Sequence, residues 1–286
     1  MSRWQWAWEG VLGVLVVLAV GMVVVTAPTA HLPNVLASAA PLGLVAAGLS
    51  LSLRTGVPNL AVGAVSALSG ALIATAVEVG EMSLVTGALL VLVLAAFAGL
   101  VIGAFTVLVS APAWAVTLGA AVACEALLVA VTDARVIPVE VPQFPRALWF
   151  AVFAVVSVAG GLLWARRDVR ERLSKGWTAG LVGLAGSGML AALGGFVLLM
   201  RLGAAQPSSS GTFTTVFALA AVLLGGTSPN GERGAVTGTV FSVLLLSIVQ
   251  GQLALLNAPF WVYSLILGIV VAVGLAVSRL LDALRP

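Results

Sequence analysis

Chemistry needs ionisable or nucleophilic side chains, and this chain offers few. Glu125 is the one carboxylate well inside a long apolar run, 114–131. A charge at that depth is costly in lipid, so Glu125 must face protein or water. It reads either as a pathway or coupling residue, or as a structural acceptor for Ser, Thr or backbone. His31 and Cys124 are the only histidine and the only cysteine. That excludes an intrachain disulfide, a cysteine zinc site and a multi-histidine metal site. Lys175, the only lysine, follows Arg-Leu-Ser and precedes Gly176. It does not close a GxxxxGK[ST] loop, so the chain lacks the phosphate cradle needed to hydrolyse ATP by itself. His31 falls in the loop after the first apolar run, a poor place to activate a buried serine. The residues point away from an enzyme, and no metal or cofactor of the chain's own is expected.

Two polar stretches carry most of the remaining information. Residues 166–176 read RRDVRERLSKG, with Arg166, Arg167, Asp168, Arg170, Glu171, Arg172 and Lys175 between Trp164 and Trp177. The alternating signs suit a short helix lying at a membrane surface with its charges in water. It serves either as a determinant of orientation or as a docking helix for a soluble motor subunit. The second stretch, Leu224-Gly-Gly-Thr-Ser-Pro-Asn-Gly-Glu-Arg-Gly234, is a glycine-dense polar loop between the apolar runs 215–223 and 235–256. Loop backbone cannot stand unsatisfied in hydrocarbon, so this loop lies at a membrane face or within protein.

The elements that must position these residues are transmembrane helices. The chain is 61% hydrophobic and 8% charged, with a mean hydropathy of +1.19. A soluble domain carries about 25% charged residues. We expect an all-α polytopic membrane protein, residues 1–286 forming one membrane domain. Ten apolar segments stand out, at about 11–27, 34–53, 57–77, 84–109, 114–131, 147–165, 178–200, 213–223, 235–256 and 259–279. The eighth is too short to span as a regular helix and reads as a half-helix or re-entrant segment. Thr55-Gly-Val-Pro-Asn59 implies a broken start to the third. The first run is read as a span rather than a cleaved signal peptide, because Arg3 alone is a weak positive flank. With 166–176 in the cytoplasm, ten spans place both termini there as well. Ten of the thirteen Lys/Arg then lie inside, and Arg135, Arg146 and Arg201 lie outside, as the positive-inside bias requires. The high isoelectric point reflects that bias and no affinity for nucleic acid. Trp4, Trp6 and Trp8 fall where an interfacial belt is expected. Gly180, Gly183, Gly186, Gly188, Gly194 and Gly195 mark a helix that packs closely on its neighbours.

Several segments resemble a known family. Asn59-Leu-Ala-Val-Gly63 with Ser66-Ala-Leu-Ser-Gly70, Pro112-Ala-Trp-Ala-Val-Thr-Leu-Gly119, Arg201-Leu-Gly-Ala-Ala-Gln-Pro207, Leu224-Gly-Gly-Thr-Ser228, Gly231, Gly234, Gly238-Thr239 and Pro259-Phe-Trp261 occur in order along the chain. Together they are similar to the permease subunits of bacterial ABC importers, the ribose/simple-sugar and branched-chain amino acid permease family. The resemblance implies a permease that pairs with a second permease, the same or homologous, around a translocation path. It implies two cytoplasmic ABC ATPase subunits that bind the ATP and magnesium, and an extracytoplasmic solute-binding protein. It also implies a bacterial cytoplasmic (inner) membrane location and a coupling role for 166–176. The LGGTS wording is closer to the sugar branch, hence a monosaccharide or similar small polar solute.

The chain departs from the family pattern in four places. Glu125 stands where an arginine is usual, and Asn59 replaces a common aspartate. The 166–176 loop is short, and the chain is compact. These departures fit a member that works beside a different permease. On this reading the path or gate positions are Asn59, Ser66, Ser69, Thr117, Glu125 and Thr227. The alternatives are a branched-chain amino acid or nucleoside permease, or a stand-alone secondary transporter or channel. The last would need coupling charges in several spans, and only Glu125 is on offer.

Overall fold

A computed structural model describes residues 3–80, 82–142, 144–166, 168–169, 171, 177–207, 211–231 and 233–283. The order is α1 (Arg3–Thr26), α2 (His31–Arg54), α3 (Val62–Gly80), α4 (Leu84–Val109), α5 (Ala113–Thr132), β1 (Ile137–Pro138) and α6 (Arg146–Ala165). There follow α7 (Trp177–Leu202), β2 (Ala204–Ala205), α8 (Gly211–Leu224), α9 (Val236–Leu255) and α10 (Phe260–Ala283). Among the described residues nine helices are long and apolar enough to cross a membrane, and α8 is shorter. The protein is thus an all-helical polytopic membrane protein, with the short eighth segment where the apolar pattern put it. At 14 residues, α8 is about 21 Å long, against a hydrocarbon core of about 30 Å.

Contacts sort the helix ends onto two sides. β1 pairs antiparallel with β2, Ile137 opposite Ala205. Arg135 grips Glu78 at 2.9 Å. The C-terminal ends of α3, α5 and α7 therefore share one side. On the other, Arg54 at the end of α2 lies 5.2 Å from the Trp164 ring at the end of α6. Trp8 of α1 donates to the Leu224 carbonyl at 2.7 Å, and Asp282 of α10 pairs with Arg233. Both termini thus flank the basic 166–176 connector, the side that the charge bias assigns to the cytoplasm.

The core is built on α2 and α7. Helix α2 buries Ala37, Ala39, Ala40, Gly43, Ala46 and Gly48, and packs on α6, α7, α8 and α9. Small residues let backbones approach where no hydrophobic drive separates helix from lipid. A Cβ on Gly99 of α4 would meet the Leu184 backbone, one on Gly188 the Ala95 carbonyl, and one on Gly195 the Ser66 carbonyl. Of the six glycines noted in the seventh apolar segment, Gly188, Gly194 and Gly195 face neighbouring backbone, while Gly180, Gly183 and Gly186 face the side chains of Val57, Thr55 and Leu51. The flanks of α1, α4, α5, α6 and α10 carry exposed Val, Leu and Phe, the surface lipid would cover.

Candidate functional site

Two chain breaks inside the bundle organise the site. The first follows α2. Gly56 takes a left-handed turn at φ 75°, and residues 55–61 fold back between α5 and α7. A broken backbone in a membrane needs partners for every N–H and C=O, and named side chains supply them. Asn59 N–H donates to Ser52 Oγ at 3.1 Å. Leu60 N–H donates to Thr117 Oγ1 at 3.0 Å, and Thr117 in turn donates within reach of the Pro58 and Ala113 carbonyls. Asn59 Oδ1 accepts from Ala61 N–H at 3.0 Å, while its Nδ2 donates to Ser187 Oγ at 2.6 Å. Ser187 is ten residues into α7, so Asn59 stands about 15 Å from that helix's cytoplasmic end.

The second break follows α7. Gly203 turns at φ 65° and residues 203–207 pass β2 before the chain re-enters as α8. Residues 208–210 lie outside the described residues. The N-terminus of α8 is capped by Glu125 Oε1, which accepts from Thr212 N–H at 3.1 Å and from Thr212 Oγ1 at 2.9 Å. The N-terminus of α3 is capped by α8, since Thr215 Oγ1 accepts from Gly63 N–H at 3.1 Å. The two helix starts touch: a Cβ on Gly63 would strike the Gly211 carbonyl, and one on Gly211 would strike Ala64. Two helix starts thus meet tip to tip inside the protein, the 19-residue α3 running outward and the 14-residue α8 running inward.

Beside this junction lies a cavity of about 360 Å³, reaching from Gly63 to Arg201 near the outer end of α7. Its polar lining is Ser38, Ser66, Arg201, Thr214, Ser247 and Gln250, set among Val35, Leu42 and Leu198. Arg201 donates to Ser38 Oγ at 2.7 Å. Ser247 is 3% exposed and its hydroxyl has no hydrogen-bond partner. On the outer surface, the Glu78 carboxylate holds the Arg135 guanidinium above its usual pKa by a direct hydrogen bond.

At the cytoplasmic end, residues 225–231 and 233–235 fold as a hairpin-like loop, with Ser228 N–H donating to the Arg233 carbonyl at 2.9 Å. Gly226 and Gly231 take φ 87° and 78°. Arg233 donates to the Gly226 carbonyl at 2.7 Å, to Asp282 at 2.7 Å, and to Ser278 O and Oγ at 3.2 Å. Thr227 Oγ1 accepts from Ala235 N–H. In the connector, Asp168 and Glu171 are helical and exposed, and Arg166 is exposed. Arg167, Arg170, Arg172 and Lys175 lie outside the described residues.

Of the six path positions expected from sequence, only Ser66 lines the outer cavity. Asn59 and Thr117 secure the first break and Glu125 the second. Thr227 is buried in the cytoplasmic loop, and Ser69 is buried in α3. The cavity residues Ser38, Thr214, Ser247 and Gln250 were not singled out, and Arg201 stood out only for its side of the membrane and its place in a family-like segment. A signal existed for two of them, because Ser247 and Gln250 are polar residues three apart on one face of an apolar helix.

The match to a family model now closes the question of class. The model described as branched-chain amino acid transport system / permease component covers residues 32–169 and 176–275. The chain belongs to that permease family, whose members are transport subunits. Among similar proteins is the autoinducer 2 import system permease protein LsrC of Photorhabdus luminescens, 26% identical over 82% of this chain and 78% of that one. The ribose import permease protein RbsC of Bacillus subtilis is 37% identical over 32% of this chain and 29% of its own length. The fructose import permease protein FrcC of Rhizobium meliloti is 32% identical over 32% of this chain and 26% of its own. The aligned part thus spans under a third of the ribose and fructose relatives. No solved structure matches the chain significantly.

Proposed function

We propose that residues 1–286 act as one permease domain of an ABC importer for a monosaccharide or similar small polar solute. The site works with a second permease, two cytoplasmic ATPase subunits that bind ATP and magnesium, and an extracytoplasmic solute-binding protein, in the bacterial inner membrane. The observation that carries this reading is the family match together with relatives named for ribose, fructose and autoinducer 2 import.

The cavity geometry supports it. Hydroxyls, an amide and a guanidinium among apolar side chains can hydrogen-bond a hydroxyl-rich solute without holding it strongly. Weak retention suits a path, since affinity then rests with the binding protein. Motion delivered through 166–176 would shift α6 and α7, and with α7 the cavity wall that carries Arg201. Asn59, Thr117 and Glu125 would fix the tips of α3 and α8, against which that wall moves.

The test is reconstitution of the chain with its ATPase subunits and binding protein in lipid discs. ATP hydrolysis should rise with ribose, fructose or autoinducer 2 and not with leucine or a nucleoside. Reversing Arg170 and Arg172 to Glu should release the ATPase. Uphill uptake by the purified chain alone, without nucleotide, would sink this reading.

A further inference from the structure

A second cavity, of about 420 Å³, occupies the cytoplasmic half, walled by α2, α6, α7 and α9. Its floor is apolar: Gly43, Phe153, Val156 and Val240. At its cytoplasmic end sits Arg54, only 6% exposed. The guanidinium lies over Trp164, but no carboxylate among the described residues pairs with it, and its Nε has no hydrogen-bond partner. Ser50, one turn deeper on α2 and 3% exposed, also has an unpartnered hydroxyl. Arg233, adjacent in sequence to the Gly234 that packs on Arg54, shows the usual solution to burial, an aspartate at 2.7 Å. A buried guanidinium without a counter-charge is strongly unfavourable, and a ring face offsets only part of that. Arg54 does not line the outer cavity.

The mouth of the cavity identifies what fills it. Helices α6 and α7 are consecutive, yet each packs on α2 and they barely touch one another. Between them the rim is Ala159, Gly160 and Leu163 on one side and Val182 and Met189 on the other, all exposed. The cavity therefore opens sideways through apolar side chains, at the depth where acyl chains stand. Its cation lies at the end where anionic headgroups gather, next to an interfacial tryptophan.

We propose that this is a binding site for an anionic phospholipid of the cytoplasmic leaflet. Its phosphate sits on Arg54 and can accept two guanidinium hydrogen bonds. One acyl chain enters between α6 and α7 and reaches Phe153. Val169 of the connector also lines the cavity, so the bound lipid touches the segment that faces the ATPase.

Quenching of Trp164 by brominated lipid tests this on the full chain in discs, taking wild type minus Trp164→Phe to isolate the one ring. Brominated phosphatidylglycerol should quench at about fivefold lower mole fraction than brominated phosphatidylcholine, the factor expected of one basic group near the membrane surface. Arg54→Gln should erase that preference and Arg54→Lys should keep it. Gly160→Leu should weaken quenching by both lipids, since no atom lies within 4 Å of a Cβ at Gly160 and the side chain can fill the mouth. Equal quenching by the two lipids in wild type overturns the proposal, as does an unchanged preference in Arg54→Gln. Quenching by brominated free fatty acid alone, or its loss when a second permease is assembled, also overturns it. Should Arg54→Gln not fold, Arg54→Lys and Gly160→Leu decide. Lipid binding is read without transport, so failure here leaves the importer reading intact.

Discussion

Asn59→Leu tests whether side chains hold the first break. The native amide accepts from Ala61 N–H at 3.0 Å and donates to Ser187 at 2.6 Å. Leucine removes both bonds and fills nearly the same volume. The Ala61 N–H is then left without a partner, at about 1–3 kcal/mol. The α7 contact is also lost, and interhelical hydrogen bonds in membranes average about 0.6 and reach about 1.7 kcal/mol. Ser187 is not orphaned, because its hydroxyl keeps the Leu184 carbonyl at 3.0 Å. The sum is about 2–4 kcal/mol of unfolding free energy. Equilibrium unfolding in mixed micelles measures it, and amide exchange at residues 59–63 localises it. A double-mutant cycle with Ser187→Ala isolates the helix–helix share. If Asn59→Leu falls within about 0.5 kcal/mol of wild type and exchange at Ala61 is unchanged, the break is held by something else.

Other outcomes follow from the same geometry. Asp282→Asn removes the 2.7 Å ion pair from Arg233, whose side chain is 2% exposed; about 2 kcal/mol should be lost, with faster proteolysis in 225–234. Gly63→Ala drives a methyl into the Gly211 carbonyl and Thr215 and should cost about 3 kcal/mol. Gly160→Ala meets no atom within 4 Å and should be neutral or slightly stabilising in the same unfolding assay. Glu125→Ala removes the cap of α8 and should cost about 1 kcal/mol, with faster exchange at Thr212. Glu125→Gln keeps an acceptor and should change little.

The helices were legible because hydrophobic run length alone reports a lipid-spanning segment. The two breaks were legible as well: Thr55-Gly-Val-Pro-Asn59 has the wrong residues for a helix, and 213–223 is too short. What the sequence could not convey was pairing. Glu125 reads as a lone charge until Thr212, 87 residues away, is brought to its carboxylate. Thr117 reads as a path hydroxyl until Leu60 N–H is found on it. Polar residues in these helices answer broken backbone elsewhere in the chain, and no local pattern says whose. The outer cavity was missed for a related reason. It takes lining residues from five helices; four contribute a Ser or Thr that looks ordinary in its own segment, and α7 contributes Arg201.

The tip-to-tip contact of α3 and α8 carries a mechanical consequence. Gly63 and Gly211 meet backbone to backbone, with only the Thr215 hydroxyl and the Ala64 methyl beside the contact, so no bulky side chain locks the two tips together. The Thr215 hydroxyl leashes the two tips at the same spot. Rocking of the outward and inward arms about such a joint would turn a push at the inner face into a tilt outside, while the hydrogen bond resists their separation.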